Sequence, residues 1–304
     1  MTESQHLVDI VNQTDYVENP DGEEKLGQPM INLSYGGTHG TIDLYLLPGF
    51  RERNFPGENG RLRFPIPVDA SEAVFESRAA KRRIDAAVRW SHFVGDWEVG
   101  ASHFSGTTRE PQFDLQMSID AAGNLTGASL IPVYAVIEQS GLDLQFISED
   151  WLWKLELIRR AGQGATFTAA TFGFEKTLIG LLNTRADLGL VVEYLFDDRG
   201  ETAPVYAEHD WAAGLRWALN DAQNSQLLLV SVWDEKTHER LITLEASRRL
   251  GANWKLIAEG TVYSHFSRPS GNPGSLLAQF NAPENKLGFL QDEDFLKIEL
   301  VRYF

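Results

Sequence analysis

Apolar and polar residues alternate with a period of two in segment after segment of this chain, and that rhythm excludes most folds. In Asp210–Leu219, Trp211, Ala213, Leu215, Trp217 and Leu219 share one side, and Asp210, Ala212, Gly214, Arg216 and Ala218 the other. Trp151, Trp153, Leu155 and Leu157 alternate with Leu152, Lys154, Glu156 and Ile158. Trp254, Leu256, Ala258, Gly260 and Val262 alternate with Lys255, Ile257, Glu259, Thr261 and Tyr263. Successive side chains of a strand point to opposite faces, whereas a helix repeats every 3.6 residues, so these are strands with one apolar face.

About thirteen such strands are expected, with ends good to about three residues. They lie near 28–36, 40–49, 83–94, 96–106, 135–148, 150–160, 164–177, 186–197, 207–219, 224–234, 239–249, 253–264 and 294–304. Tight turns such as Val94-Gly95-Asp96 and Gly251-Ala252-Asn253 alternate with long polar loops at 50–82, 107–134, 198–206 and 265–293. The second of these has hairpin texture, Phe113–Asp120 and Leu125–Ile131 around Ala121-Ala122-Gly123-Asn124, and residues 71–81 form a candidate helix. Short turns at one end and long loops at the other are the layout of an outer-membrane barrel.

Alternation also suits a soluble sandwich, so other features decide. Aromatic residues gather at the ends of the apolar faces: Trp97, Trp151, Trp211 and Trp254 at strand starts, and Trp90, Trp217, Trp233, Phe196 and Phe304 toward other ends. Amphipathic rings suit the two interfaces of a bilayer. The opposite face carries charges of both signs, among them Arg89, Glu98, Lys154, Glu156, Arg216, Glu245, Lys255, Glu259, Lys297 and Glu299. A water-filled lumen tolerates them and a closed core does not.

The last strand ends the chain on an aromatic residue, with Leu296, Ile298, Leu300 and Phe304 in the pattern of a membrane-insertion signal; Arg302 stands where that face often carries an aromatic. With Gly27-Gln28-Pro29-Met30, Phe50-Arg51-Glu52-Arg53-Asn54-Phe55-Pro56-Gly57, Ser105-Gly106-Thr107-Thr108-Arg109-Glu110-Pro111 and Trp151-Leu152-Trp153-Lys154-Leu155-Glu156, the chain resembles porin-like outer-membrane β-barrels of Gram-negative bacteria, in an uncharacterised group. The resemblance covers essentially the whole chain and brings no functional residue with it. It implies an all-β, antiparallel transmembrane barrel over 1–304, with 1–27 as an N-terminal loop segment and 50–82, 107–134 and 265–293 as long extracellular loops. Outer-membrane lipid, lipopolysaccharide and the barrel-assembly machinery are the partners it implies, and a homo-oligomer is an arrangement it allows.

Single-chain bacterial barrels have an even number of antiparallel strands. An odd count therefore points to further strands before Met1, and the resemblance implies roughly sixteen in a full-length form. Met1–Leu7 has neither the basic start nor the apolar stretch of a signal peptide, as expected if those strands and the signal are missing.

The 304 residues include 43 acidic and 27 basic ones, a formal charge of −16, which argues against a nucleic-acid partner. Zero cysteines exclude a disulfide framework, a thiolate metal site and a cysteine nucleophile. His92 and His103 stand near one hairpin, and Asp197-Asp198 and Asp292-Glu293-Asp294 are loop acids read as solvated; no metal or other cofactor is expected. Gly106-Thr107-Thr108-Arg109 and Gly162-Gln163-Gly164 lack the strand-to-helix setting of a phosphate cradle. Ser102 with His103, and Ser91 with His92, are adjacent in strands and point to opposite faces, so neither pair makes a nucleophile and base, and no enzymatic activity is expected. The basic cluster Arg78, Lys81, Arg82 and Arg83 is the candidate anion site, either inside the pore or against lipopolysaccharide phosphates. The leading expectation is a passive channel for small solutes. A non-conducting structural or adhesive barrel acting through its loops is the alternative, and a soluble carbohydrate-binding sandwich the third.

Overall fold

A computed structural model describes residues 2–18, 22, 24–57, 59–122, 125–203, 208–266 and 288–304. The protein is all-β; the helical elements among the described residues are single 3-10 turns. Its strands are β1 (Gln13–Thr14), β2 (Lys25–Leu26), β3 (Ile31–Gly37), β4 (Gly40–Pro48), β5 (Val74–Phe75), β6 (Ile84–Val94), β7 (Trp97–Thr107), β8 (Gln112–Ile119) and β9 (Leu125–Tyr134). They continue as β10 (Val136–Ser148), β11 (Trp151–Ala161), β12 (Phe167–Leu178), β13 (Asp187–Asp197), β14 (His209–Ala218), β15 (Gln226–Trp233), β16 (Arg240–Leu250), β17 (Trp254–Ser264) and β18 (Phe295–Arg302).

Thirteen of them form one antiparallel sheet in the order β3-β4-β6-β7-β10-β11-β12-β13-β14-β15-β16-β17-β18. Each is one of the expected strands, with ends shifted by no more than three residues. The backbone can reverse tightly where a residue without a Cβ, or one tolerating the left-handed region, is supplied. Gly40 turns β3 into β4 at φ 103°, where a Cβ would lie 2.2 Å from the Ser91 carbonyl. Asn220 and Asn224 hold left-handed backbone between β14 and β15.

The loop elements sit apart from this meander. β8 and β9 are the hairpin expected in the 107–134 loop, with positions 123–124 outside the described residues. The helix expected over 71–81 is absent. Single turns at Ala70–Glu72 and Ala80–Arg82 flank β5, which pairs parallel with the end of β9. Tertiary pairing overrides the helical reading here, because Phe75 stacks on Tyr134 at 5.2 Å and Phe50 closes edge-on at 5.0 Å.

Phe50 bonds Lys81 just before β6, and Arg61 bonds the Glu293 and Asp294 carbonyls at the start of β18, so the loop after β4 touches both strands. β3 and β18 are not bonded to one another, so the sheet is open.

Candidate functional site

Register assigns every strand residue of the large sheet to one of two faces, and most of the charges collect on one. The cross-strand pairs Glu98↔Gln145, Asp143↔Glu156, Gln145↔Lys154, Glu245↔Glu259 and Glu259↔Lys297 run along a single face. Arg89, Arg216, Lys255 and Glu299 share it through the pairs Arg89↔Ser102, Gly189↔Arg216, Arg249↔Lys255 and Ile257↔Glu299. All ten expected inner charges thus lie on this polar face. Trp211, Leu215, Trp217, Leu256, Ile298 and Leu300 lie on the other.

Carboxylates meet in two of these pairs, and each clash is relieved by a cation. Glu245 faces Glu259 directly, and Lys297 reaches Glu259 at 3.0 Å from the next strand. Asp143 faces Glu156, and Arg89 takes Asp143 through two bonds of 2.6 and 2.8 Å. Gly100 makes room for that fork, since a Cβ there would lie 2.3 Å from the Asp143 carboxylate and 2.5 Å from the Arg89 guanidinium.

Glu156 and Glu193 are both 1% exposed, and buried carboxylates are costly unless donors surround them. Their donors come from the N-terminal residues, which cross the polar face as a strap. Glu156 accepts from the Thr2 amide (3.2 Å), the Thr2 hydroxyl (3.0 Å) and the Val8 amide (3.2 Å). Glu193 accepts from the Glu3 amide (2.8 Å), the Ser4 amide (2.9 Å) and the Ser4 hydroxyl (2.5 Å). In return Glu3 puts its own carboxylate between Lys154 (3.0 Å) and Arg216 (2.6 Å), with Glu175 on the far side of both cations. Burial raises the Glu3 carboxyl, but the two cations outweigh it and hold the group below the usual carboxylate range.

Apolar contacts fix the rest of the strap. Leu7 and Val8 pack on Ile158, Phe167 and Ala169, and Ile10 joins Leu47, Phe104 and Ile137. Gly141 leaves the space for Val8, whose methyl would stand 3.1 Å from a Cβ at that position. Gln139 donates to the Leu7 carbonyl (3.2 Å) and Arg109 to the Val11 carbonyl (3.0 Å).

Beside the long-loop end, Arg160 holds Gln139 (2.8 Å) and Glu110 (2.7 Å). The Arg160 guanidinium keeps the Glu110 carboxyl below its ordinary range. Sequence reading treated 1–27 as loop and missed the strap. The available signal was Leu7, Val8 and Ile10 in an otherwise polar start, together with strand carboxylates in need of donors.

Of the four residues of the expected loop anion site, two have acidic partners. Lys81 is paired with Glu52 (2.5 Å) and Arg83 with Asp85 (3.2 Å), while Arg78 and Arg82 are exposed. Asp197, read as a solvated loop acid, is 2% exposed and gripped by Arg199. Glu293 bonds Arg61, and Asp294 accepts the Tyr263 amide. Three carboxylates that sequence reading did not group, Glu208, Asp210 and Asp234, lie within 4.8 Å of one another. Backbone amides of Glu208, Glu235, Lys236 and Thr237 already bond Asp210 and Asp234.

Leu296, Ile298 and Leu300 project from the apolar face at 64, 67 and 55% exposure. Phe304 lies two residues past the end of β18, with the Arg302 guanidinium 4.8 Å from its ring. His92 and His103 share the apolar face, but His92 is opposite Val99, four positions from His103, so the two do not meet. No family model, curated protein or solved structure matches the chain.

Proposed function

We propose that this sheet is the wall of a porin-like outer-membrane barrel that passes small solutes passively through a lumen lined by the polar face and narrowed by the strap. One observation carries the reading: the large apolar side chains left exposed belong overwhelmingly to a single face. Ile31, Leu33, Ile42, Leu44, Leu46, Phe172, Leu215, Leu229, Val262, Leu296, Ile298 and Leu300 are all exposed there. A soluble protein rarely leaves so continuous an apolar band in water, and a sandwich would cover it with a second sheet. Hydrocarbon needs that band, and it needs the backbone bonded strand to strand.

The ring-bearing residues fit the same placement. Trp97, Trp151, Trp217 and Trp254 stand beside the short turns, and Phe196, Trp211 and Trp233 toward the long loops, which supports a girdle at each interface. In this reading Leu296, Ile298, Leu300 and Phe304 are the assembly machinery's recognition signal, and lipid and lipopolysaccharide are the surroundings.

The strap favours the second reading, a non-conducting barrel, because it crosses the polar face from Leu47 on β4 to Arg216 on β14. Planar-bilayer recordings separate the two. Discrete conductance steps that grow when Leu7, Val8 and Ile10 are replaced by Ser support the channel. Silence in both proteins supports the closed barrel.

A further inference from the structure

A cluster of polar side chains interrupts the apolar face near the long-loop end of β7 and β10. His103 stands opposite Ser140, and Ser105 opposite Glu138. Alternate residues along the same strands, toward the short turns, are apolar: Val99 and Ala101 on β7, Leu142 and Leu144 on β10. The His103 ring bonds at both nitrogens, Nδ1 to Ser140 Oγ at 3.0 Å and Nε2 to Glu138 Oε2 at 3.1 Å. Ser105 donates to the other Glu138 oxygen at 2.6 Å. His103 and Glu138 are about half exposed, at 50 and 53%. Arg159 of β11 pairs with Ser140 in the ladder and is exposed on the same face.

We propose that Ser140, His103 and Glu138 form a serine-hydrolase relay on the outside of the wall, acting on acyl esters of membrane lipids. The substrate class rests on the lipid-facing reading of this face given above. The relay rests on geometry alone: a hydroxyl within reach of an imidazole whose other nitrogen is held by a carboxylate is the arrangement that activates a serine.

With Nε2–H donated to Glu138, Nδ1 is free to accept the Ser140 proton. Ser140 Oγ bonds to the ester carbonyl carbon as its proton passes to Nδ1, and Glu138 stabilises the resulting imidazolium. The carbonyl electrons move onto oxygen, on the side where Arg159 supplies a cation. Collapse breaks the bond to the alcohol, which leaves with the Nδ1 proton and leaves an acyl group on Ser140. Water then attacks that acyl carbon and gives one proton to Nδ1. The acid leaves, and the proton returns to Ser140. The balance is ester plus water to acid plus alcohol, with no other reactant. A pairing across two strands is invisible to a search for adjacent residues, which is why Ser102 beside His103 looked inert.

The full chain in detergent micelles, given a phospholipid and separately a short water-soluble nitrophenyl ester, tests this. A fluorescent fluorophosphonate should attach to Ser140, and phospholipid should release fatty acid. Ser140→Ala should abolish both, His103→Asn should slow release by about a hundredfold, and His92→Asn, on the same face but outside the relay, should change neither. These side chains are exposed, so the variants fold, which β-type circular dichroism and heat-dependent gel migration verify. An unlabelled Ser140 with no hydrolysis, or equal rates in His103→Asn, overturns the relay and leaves the membrane reading untouched. Turnover of the soluble ester without phospholipid overturns the lipid substrate.

Discussion

Glu3 is the residue on which the strap turns, because its carboxylate is shared by cations from two strands, Lys154 on β11 and Arg216 on β14. Three carboxylates also face this pocket: Glu175 on β12 with both cations, and Glu156 on β11 and Glu193 on β13, which hold neighbouring strap amides. The Glu3 pKa is lowered on docking, so its contribution is fully present above the free-carboxylate range and lost as pH falls through the lowered value. Strap release, read by a fluorophore on a cysteine placed at Glu18, should therefore rise in acid below about pH 4.5. Glu3→Gln should loosen the strap by about 1–3 kcal/mol at neutral pH and flatten that acid response. Gly141→Val should displace the strap with the charges untouched, because the added methyls take the space of Val8. Unchanged fluorescence in Gly141→Val would place the label's signal elsewhere than the strap. At this scale the sequence revealed which strand residues carry charge. It could not reveal Glu156 as a buried partner, since its donors, Thr2 and Val8, lie about 150 residues away along the chain.

Strands were readable because each is a local pattern. Trp254 to Val262 alternates whatever its neighbours do, and β17 runs over Trp254–Ser264 as expected. The segment 71–81 shows the limit: Val74 and Phe75 are claimed by β9, about sixty residues away, and no local period announces that. Two predictions belong to single elements. Leu256→Arg on β17 puts a charge on the apolar face, opposite Leu300 and Arg248. It should lower folding stability in bilayers by about 2–4 kcal/mol if the site is near mid-membrane. The same substitution at Ile257, on the polar face, should cost far less by urea titration in liposomes. On β18, Phe304→Ser should reduce the fraction assembled in the outer membrane of cells, while refolding into detergent stays unchanged. A matched loss in detergent would assign Phe304 to stability instead of recognition.

At the scale of the whole molecule, thirteen antiparallel strands make β3 and β18 run the same way, so they cannot pair antiparallel with each other. They are the two edges of the sheet and are not bonded to one another. An odd number of further strands between them would complete an antiparallel ring. The two faces of the sheet divide most of the chain's chemistry, with most charges and the strap on one and most exposed aliphatic and aromatic residues on the other. Because the chain lacks cysteine, single nitroxide labels can be placed at will. Labels at Leu215, Leu256 and Ile298, compared with labels at Glu245, Lys255 and Lys297 in reconstituted bilayers, read which face meets lipid. Membrane-dissolved oxygen should broaden the first three and a water-soluble nickel chelate the second three. The reverse, or nickel access to all six, would mean that the apolar face does not contact lipid and that the sheet is not a membrane wall.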